Sequence, residues 1–201
     1  MRLCVFCGSR AGDDPQYAAA AVELGVALVR RGIGVVYGGG RVGLMGVVAD
    51  ATLQAGGEVI GVIPDWLADR EVAHQGLSEL YRVESMHDRK ALMSELSAGF
   101  IALPGGFGTL EEFCEVITWS QLGLHNKPCG LLNVGGYFDP LIRMFDSALE
   151  RGFITPESRR IVIEGSTPDD LISTMSDWLS TAAPAPASAS IAPGSSSAAR
   201  S

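Results

Sequence analysis

The chain has 201 residues, of which 47% are hydrophobic, enough for one well-cored domain and too few for two. Its formal net charge is −8, from 15 Lys and Arg against 23 Asp and Glu, which disfavours binding to the phosphate backbone of nucleic acids. The start of the sequence lacks the long apolar stretch of a signal peptide, and no run of about 18 apolar residues occurs. We therefore expect a cytoplasmic protein that does not enter a membrane.

Short apolar runs alternate with longer segments of helical periodicity along the chain. This pattern predicts an α/β fold, a Rossmann-like doubly wound parallel sheet with helices on both faces, in a single domain. The predicted strands are 3–7, 33–37, 58–63, 100–103, 130–134 and 161–163. The predicted helices are about 16–31, 44–55, 86–98, 110–122, 138–151 and 168–180.

Several boundaries are marked by capping residues. Asp14 and Pro15 favour the start of the first helix, and Gly32 favours its end. Residues 64–82 show no clear period and are expected to form an irregular segment, of the kind that often carries function. From about residue 181 the chain is rich in Ala, Pro and Ser, which predicts an ordered domain over 1–180 and a disordered tail over 181–201.

The cysteines and histidines give no sign of metal or redox chemistry. Cys4 and Cys7 lie three residues apart in a predicted strand, so their side chains are expected on opposite faces of the sheet, as buried thiols of a reducing compartment. The three histidines have no paired metal-ligand spacing. We expect neither a metal nor a cofactor.

Three predicted strands are followed by glycine-rich loops, at residues 8–10, 38–43 and 104–109. In a parallel sheet these loops share one edge, where backbone N–H groups and helix N-termini can bind a phosphate. The alternative is that the glycines only form tight turns. Residues 38–43 also match the dinucleotide fingerprint, with Asp65 near the ribose-binding position, but this match alone does not select NAD.

Charged residues begin two of the helices that follow these loops. Glu111, Glu112 and Glu115 lie in the first turns after the third loop, and Thr109 and Glu112 have the spacing of a capping box, which is the structural alternative to a role in chemistry. Arg89 and Lys90 lie at the positive end of another helix, where stability would not select cations. Contact with an anion explains this placement, and the alternative is a solvated pair that reaches outward.

Residues 104–112, Pro-Gly-Gly-Phe-Gly-Thr-Leu-Glu-Glu, match the Pro-Gly-Gly-x-Gly-Thr-x-x-Glu motif of a known family. The sequence resembles the Lonely Guy family, the cytokinin riboside 5′-monophosphate phosphoribohydrolases that are often mislabelled lysine decarboxylases. The similarity covers most of residues 3–155. Further matching segments are 5–9, 37–40, 43–46, 86–90, 116–119 and 130–134.

The resemblance implies hydrolysis of the N-glycosidic bond of N6-prenylated AMP and of AMP, which releases the free base and ribose 5-phosphate. It implies that Arg89 and Glu112 are the catalytic pair, and that the protein is a homodimer with the active site near the interface. The implied substrate-binding residues are Ser9, Gly39, Glu71, Met86, Arg89, Lys90, Gly105, Gly106, Phe107, Gly108, Thr109, Leu110, Glu111 and Thr118. Replacement of either catalytic residue is expected to reduce turnover and to leave the fold largely intact.

Other functions remain as alternatives from the residues alone. A protein that senses or carries a nucleotide without hydrolysing it would share the glycine loops. A dinucleotide oxidoreductase is disfavoured because the chain has no separate substrate domain. A pyridoxal phosphate-dependent lysine decarboxylase needs a Schiff-base lysine, and neither Lys90 nor Lys127 lies in a convincing context for one.

Overall fold

The structure is a computed structural model that describes residues 1–71 and 73–181. The strands are β1 (Arg2–Phe6), β2 (Gly34–Tyr37), β3 (Val59–Pro64), β4 (Glu79–Val83), β5 (Phe100–Ala102), β6 (Cys129–Leu132) and β7 (Val162–Gly165). The helices are α1 (Pro15–Arg30), α2 (Gly43–Gln54), α3 (Asp65–Glu71), α4 (Met86–Glu95), α5 (Phe107–Gln121), α6 (Asp139–Glu150), α7 (Pro156–Arg160) and α8 (Pro168–Thr181), with a 3₁₀ turn at Val134–Gly136.

All seven strands pair in parallel in one sheet, in the order β4-β3-β2-β1-β5-β6-β7. The chain moves outward from β1 to β4 and then returns to place β5 on the other side of β1. The predicted doubly wound α/β fold is therefore confirmed. The point between β1 and β5 is where this topology opens a crevice at the carboxyl ends of the strands.

The core has two layers, one on each face of the sheet. Leu3, Val5 and Cys7 point towards α1, α2 and α8, whereas Cys4 and Phe6 point towards α4, α5 and α6. The predicted opposite orientation of the two cysteines is confirmed. Because both faces are covered, the central strands are apolar on both sides, as parallel sheets require.

The predicted boundaries of the first helix are confirmed. The Asp14 carboxylate accepts a hydrogen bond from the backbone N–H of Gln16 at 2.9 Å, and Pro15 occupies the first helical position. Gly32 has a φ of +67° just after the helix, a conformation that glycine adopts without steric cost.

The prediction that residues 64–82 are irregular is wrong, because this segment holds α3 and β4. β4 lies at the edge of the sheet and pairs only with β3, so its outward residues are polar and its sequence lacks the apolar run of a central strand. Asp65, placed near a ribose by the fingerprint, instead begins α3 and forms an ion pair with Arg82 at 2.9 Å. The short helix α7 was not predicted either.

Two other expectations concern the C-terminal tail and membrane-spanning helices. The predicted tail lies outside the described residues from position 182 onward. Across the two described ranges, no helix combines the length and the apolar character that crossing a bilayer requires.

The loop after β2 packs directly against the loop after β1. Gly43 has a φ of +59°, and a Cβ atom there would overlap the backbone of Ser9 and Arg10. At Gly32, which has a similar φ, a Cβ atom would meet nothing within 4 Å. The two glycines therefore form a matched pair that separates backbone strain from loop packing.

We expect Gly32→Ala to lower the free energy of unfolding by about 1–2 kcal/mol, the cost of a left-handed residue with a Cβ atom. Gly43→Ala should cost about 1–3 kcal/mol more because the loops must also move apart. Urea denaturation of both variants measures the difference. Equal losses in the two variants would show that the loop contact contributes nothing to stability.

Candidate active site

The three glycine-rich loops meet at Gly8. Its N–H donates to the Pro104 carbonyl at 3.0 Å, and its carbonyl accepts from the Leu44 N–H at 2.9 Å. A Cβ atom on Gly8 would lie 2.8 Å from the Arg10 carbonyl oxygen and 3.3 Å from the Gly105 Cα atom. Glycine is therefore needed here so that the backbones of the loops after β1 and β5 can approach each other.

Helix α5 begins next to this contact and its first turn is not capped by a side chain. Gly106 is the N-cap residue and supplies no side-chain hydrogen bond, and Phe107 is the first helical residue. The capping-box interpretation is wrong, because Thr109 lies inside the first turn instead of preceding it. The first N–H groups of a helix lack partners within the helix, so this end of α5 is suited to bind an anion.

Arg89 of α4 is buried and contacts β3, the loop after β2 and α5. It is only 6% exposed, and its guanidinium donates to the Val62 carbonyl and the Gly38 carbonyl, both at 3.1 Å. Its Nη1 atom lies 3.8 Å from Oε1 of Glu112, whose side chain is 12% exposed. The alternative of a solvated arginine is wrong. Arg89 instead connects the ends of β2 and β3 to the carboxylate on α5.

The side chain of Lys90, the next residue of α4, is also mostly buried, at 11% exposed. Its ammonium group lies 2.6 Å from a Glu111 oxygen and 3.0 Å from a Glu115 oxygen. Burial is the largest single effect and acts to lower the pKa of Lys90, but the hydrogen bonds to the two carboxylates outweigh it, so that the pKa is raised. Lys90 therefore stays charged and fixes α4 against α5. Glu115 was not among the predicted site residues.

A cleft of about 370 Å³, called the main cleft below, lies between α5 and the helices that follow β2, β3 and the edge strand. It brings together most of the predicted site residues. Those that line it are Ser9, Met86, Arg89, Gly106, Phe107, Gly108, Thr109, Glu111 and Glu112. Its other lining residues are Cys7, Met45, Trp66 and Leu67, which the sequence analysis did not place in the site.

A neighbouring cleft, called the side cleft, opens at the crossing between β1 and β5. It has a similar volume of about 370 Å³ and shares Ser9 and Gly106 with the main cleft. Its walls include Gly105 and the rings of Tyr17 and Tyr137, and the Tyr137 hydroxyl donates to the Gly105 carbonyl. The surface around Ser9 and Gly106 is therefore open from two sides.

Five predicted site residues do not line either cleft in a described position, and Lys90, held by Glu111 and Glu115, is one of them. Gly39 has a φ of +78° and its carbonyl accepts from the His74 N–H at 3.0 Å, which gives it a structural role. Leu110 packs against the core. Thr118 lies further along α5, where its hydroxyl donates to the Cys114 carbonyl at 2.8 Å. Glu71 ends α3, and its side chain lies outside the described residues.

Comparison with known proteins identifies the family. Residues 45–175 match the family model described as "Possible lysine decarboxylase". Over 178 residues the chain is 51% identical to a cytokinin riboside 5′-monophosphate phosphoribohydrolase of Arabidopsis thaliana, covering 89% of this chain and 84% of that protein. The chain belongs to the Lonely Guy family. A phosphoribohydrolase of the same name from Oryza sativa subsp. japonica is 51% identical over 178 residues, which are 89% of this chain and 74% of its own length.

Solved structures support the fold of this Lonely Guy protein. The molybdenum cofactor carrier protein of Chlamydomonas reinhardtii superposes with a TM-score of 0.69 at 20% identity, covering 90% of this chain and 98% of that chain. The molybdenum cofactor binding protein of Rippkaea orientalis gives a TM-score of 0.65 at 19% identity, covering 89% and 96%. At these identities the similarity concerns the fold alone.

The contacts of Arg89 lead us to expect that its removal lowers stability as well as turnover. We expect Arg89→Ala to lower the free energy of unfolding by about 3–5 kcal/mol, because Glu112 is left buried without this partner. The double variant Arg89→Ala with Glu112→Gln should cost less than the sum of the single variants. Urea denaturation of all four proteins of this cycle gives the coupling energy. Additive losses would show that the pair does not interact.

Proposed function

We propose that this chain hydrolyses the N-glycosidic bond of a purine nucleoside 5′-monophosphate, including N6-prenylated AMP and AMP. The support comes from its relatives, which are named as cytokinin riboside 5′-monophosphate phosphoribohydrolases. The observation that carries the proposal within the chain is that one cleft holds both the uncapped N-terminus of α5 and the carboxylate of Glu112. The first can bind the phosphate and the second can act at the sugar.

The 5′-phosphate binds at the start of α5 in this proposal. Gly106 and Gly108 have no Cβ atoms, and a Cβ atom at either position would meet nothing within 4 Å, so the space above the first turn is open. An anion can there approach the N–H groups of the turn and the positive end of the helix dipole. Ser9 lies at the same point of the cleft and adds a hydroxyl.

Glu112 is the proposed catalytic residue. Hydrolysis adds water to C1′ of the ribose, the electrons of the C1′–N bond leave with the base, and the base takes up a proton. Positive charge develops on the sugar as this bond breaks, and a nearby carboxylate stabilises that charge or takes the proton of the attacking water. Glu112 lies in the second turn of α5, one helical turn beyond Gly108, and so follows the proposed phosphate site along the helix.

Arg89 acts on Glu112 in this mechanism. Its guanidinium already donates to the Val62 and Gly38 carbonyls and pairs with Glu112. A cation fixed in this way orients the carboxylate and holds it in the cleft, which is the support that a preorganised site requires. We therefore propose that Arg89 positions Glu112 rather than serving as the phosphate anchor.

The lysines do not support the decarboxylation suggested by the description of the family model. Lys90 is held by two carboxylates, Glu111 and Glu115. Lys127 precedes β6 and so lies at the amino ends of the strands, whereas the glycine-rich loops lie at their carboxyl ends. Its ammonium group donates to the Ser94 carbonyl at 2.7 Å. Neither lysine is placed to form a Schiff base in the main cleft.

The test of the proposed function is the release of adenine from AMP. We expect the protein to convert AMP into adenine and ribose 5-phosphate and to leave adenosine almost unchanged, because adenosine lacks the group bound by α5. Chromatography of the products from the two substrates measures both rates. Equal rates would contradict the phosphate site, and binding of AMP without adenine release would favour the nucleotide sensor.

The same assay tests the role of Glu112. We expect Glu112→Gln to reduce kcat by about 10²- to 10⁴-fold, the range for loss of a general acid or base, while AMP still binds. Glu23→Gln, an exposed carboxylate on α1, is the matched control and should keep full activity. Full activity in Glu112→Gln would limit this residue to a structural role.

We further propose that the protein is a homodimer, paired through an apolar surface next to α5. Leu122, Leu124, Met144 and Phe153 are exposed large apolar residues, and no residue of α6 is fully buried. Thr118 lies in a groove that borders this surface, between α5, α6 and α7. A second copy of the chain would cover the apolar side chains and bring Thr118 to an interface, where its predicted contact with substrate could be made.

Substitution of Met144, which is 64% exposed, tests this pairing. We expect Met144→Glu to convert the dimer to monomer, because the substitution places a charge in the apolar interface. Sedimentation equilibrium gives the mass of each protein. Val22→Glu, on the opposite face of the sheet, is the control and should leave the mass unchanged. A monomeric wild-type protein would contradict the proposal.

The cytoplasm is the proposed location. Cys4, Cys7 and Cys129 are buried thiols, and Cys114 is an exposed thiol. An exposed thiol such as Cys114 is usual in a reducing compartment and prone to oxidation outside one. The predicted burial of Cys4 and Cys7 is confirmed.

A further inference from the structure

Part of the main cleft is apolar, and this part comes from helices other than α5. Trp66 and Leu67 belong to α3, Met45 to α2 and Met86 to α4. Trp66 is 55% exposed, although tryptophan side chains are highly buried on average. A large aromatic ring that lies half open on the wall of a cleft offers a flat apolar surface to a ligand.

We propose that Trp66 determines specificity for the base, by stacking its indole ring on the purine, and that Leu67 and Met86 contact an apolar substituent on the purine amino group. This inference rests on the proposed function and identifies which part of the cleft recognises which part of the substrate. Bases stack on aromatic side chains because both have flat π-systems. The methionine side chain is flexible and polarizable, so it adapts to a substituent of irregular shape.

The position of Trp66 is fixed by the contacts of α3 on both sides. Asp65, the preceding residue, pairs with Arg82 of β4 at 2.9 Å. Ala68 is buried, and its carbonyl accepts from the Ala73 N–H at 3.0 Å. The backbone that carries the ring is therefore constrained chiefly by the contacts of Ala68, since the exposed Asp65–Arg82 pair adds little, and this constraint reduces the ordering cost of binding.

The segment after α3 is anchored as well. The His74 N–H donates to the Gly39 carbonyl at 3.0 Å, and its Nδ1 atom accepts from the Gly76 N–H at 3.0 Å. The Nε2 atom of the same ring lies 3.0 Å from a carboxylate oxygen of Asp50 on α2. His74 is only 7% exposed. Its bonds tie the segment after α3 to the loop after β2 and to α2.

The arrangement divides the substrate among three parts of one cleft. The phosphate meets the first turn of α5, the ribose meets Glu112, and the base is left with the apolar surface around Trp66. The volume of about 370 Å³ lies within the range of small-ligand sites. Ribose 5-phosphate, which lacks the base, would make the first two contacts and not the third.

Fluorescence of Trp66 tests the stacking directly. The chain has three tryptophans, so Trp119→Phe with Trp178→Phe leaves Trp66 as the only one. We expect AMP to quench the emission of this protein in a stopped-flow experiment before turnover. Ribose 5-phosphate should bind, as measured by its inhibition of AMP hydrolysis, and leave the emission unchanged.

Kinetics of Trp66 variants provide the second test. We expect Trp66→Ala to raise the KM for AMP about tenfold or more, the effect of losing one base-stacking contact, with a smaller change in kcat. Trp66→Phe should retain most of the affinity because it keeps an aromatic ring. Inhibition by ribose 5-phosphate should be unchanged in both variants, whereas a folding defect would weaken it. Met86→Ala should raise KM more for N6-isopentenyl-AMP than for AMP.

The outcomes separate this inference from the proposed function. If AMP is hydrolysed but neither quenches Trp66 nor loses affinity in Trp66→Ala, the base lies elsewhere and only this inference is wrong. An equal emission change with AMP and ribose 5-phosphate would overturn it too. If AMP neither binds nor is hydrolysed, the proposed function fails and the assignment of Trp66 fails with it.

Discussion

The close approach of three backbones at Gly8 is the constraint on which the rest of the site depends. Its N–H and carbonyl bond to the loops after β5 and β2, and a side chain at this position would meet Gly105 and Arg10. The parallel sheet brings the three loops to one edge, and the absence of Cβ atoms allows them to touch. Because the loops are locked together, the start of α5 has one position relative to β1, and the clefts on either side of Ser9 follow from it.

A second layer of contacts below the loops fixes the charges. Arg89 bonds to backbone carbonyls of β3 and of the loop after β2 and pairs with Glu112, so a buried cation fixed to the sheet holds a mostly buried carboxylate of α5. Lys90 holds Glu111 and Glu115 on the neighbouring face of α5. Arg89 and Lys90 thus sort the three carboxylates of α5: Glu112 pairs with Arg89, whereas Glu111, which also lines the main cleft, and Glu115 pair with Lys90. A buried ion pair of this kind is expensive to break, which is why stability and activity are linked at Arg89.

The sequence predicts the sheet, the loop positions and the central charges well, because each has a local signal. Apolar runs mark β1, β2 and β3, and Asp14 and Gly32 mark the ends of α1. The segment 64–82 has no such signal, because β4 is an edge strand with one partner and α3 is only seven residues long. The side chains of Trp66 and Leu67 could not be placed without that segment. Glu115 was missed for a different reason: its partnership with Lys90 depends on the packing of α4 against α5, which no periodicity records.

If the proposed subsites are correct, the placement of α3 between β3 and the edge strand divides recognition of the two ends of the ligand between the halves of the fold. The turn proposed to hold the phosphate follows β5, on one side of the crossing, whereas the aromatic wall follows β3, on the other. In the proposed arrangement, substitutions along α3 would alter the preferred base without disturbing the glycine contacts of the proposed phosphate site. Such a division would allow related chains to diverge in substrate choice while one hydrolytic centre stays the same.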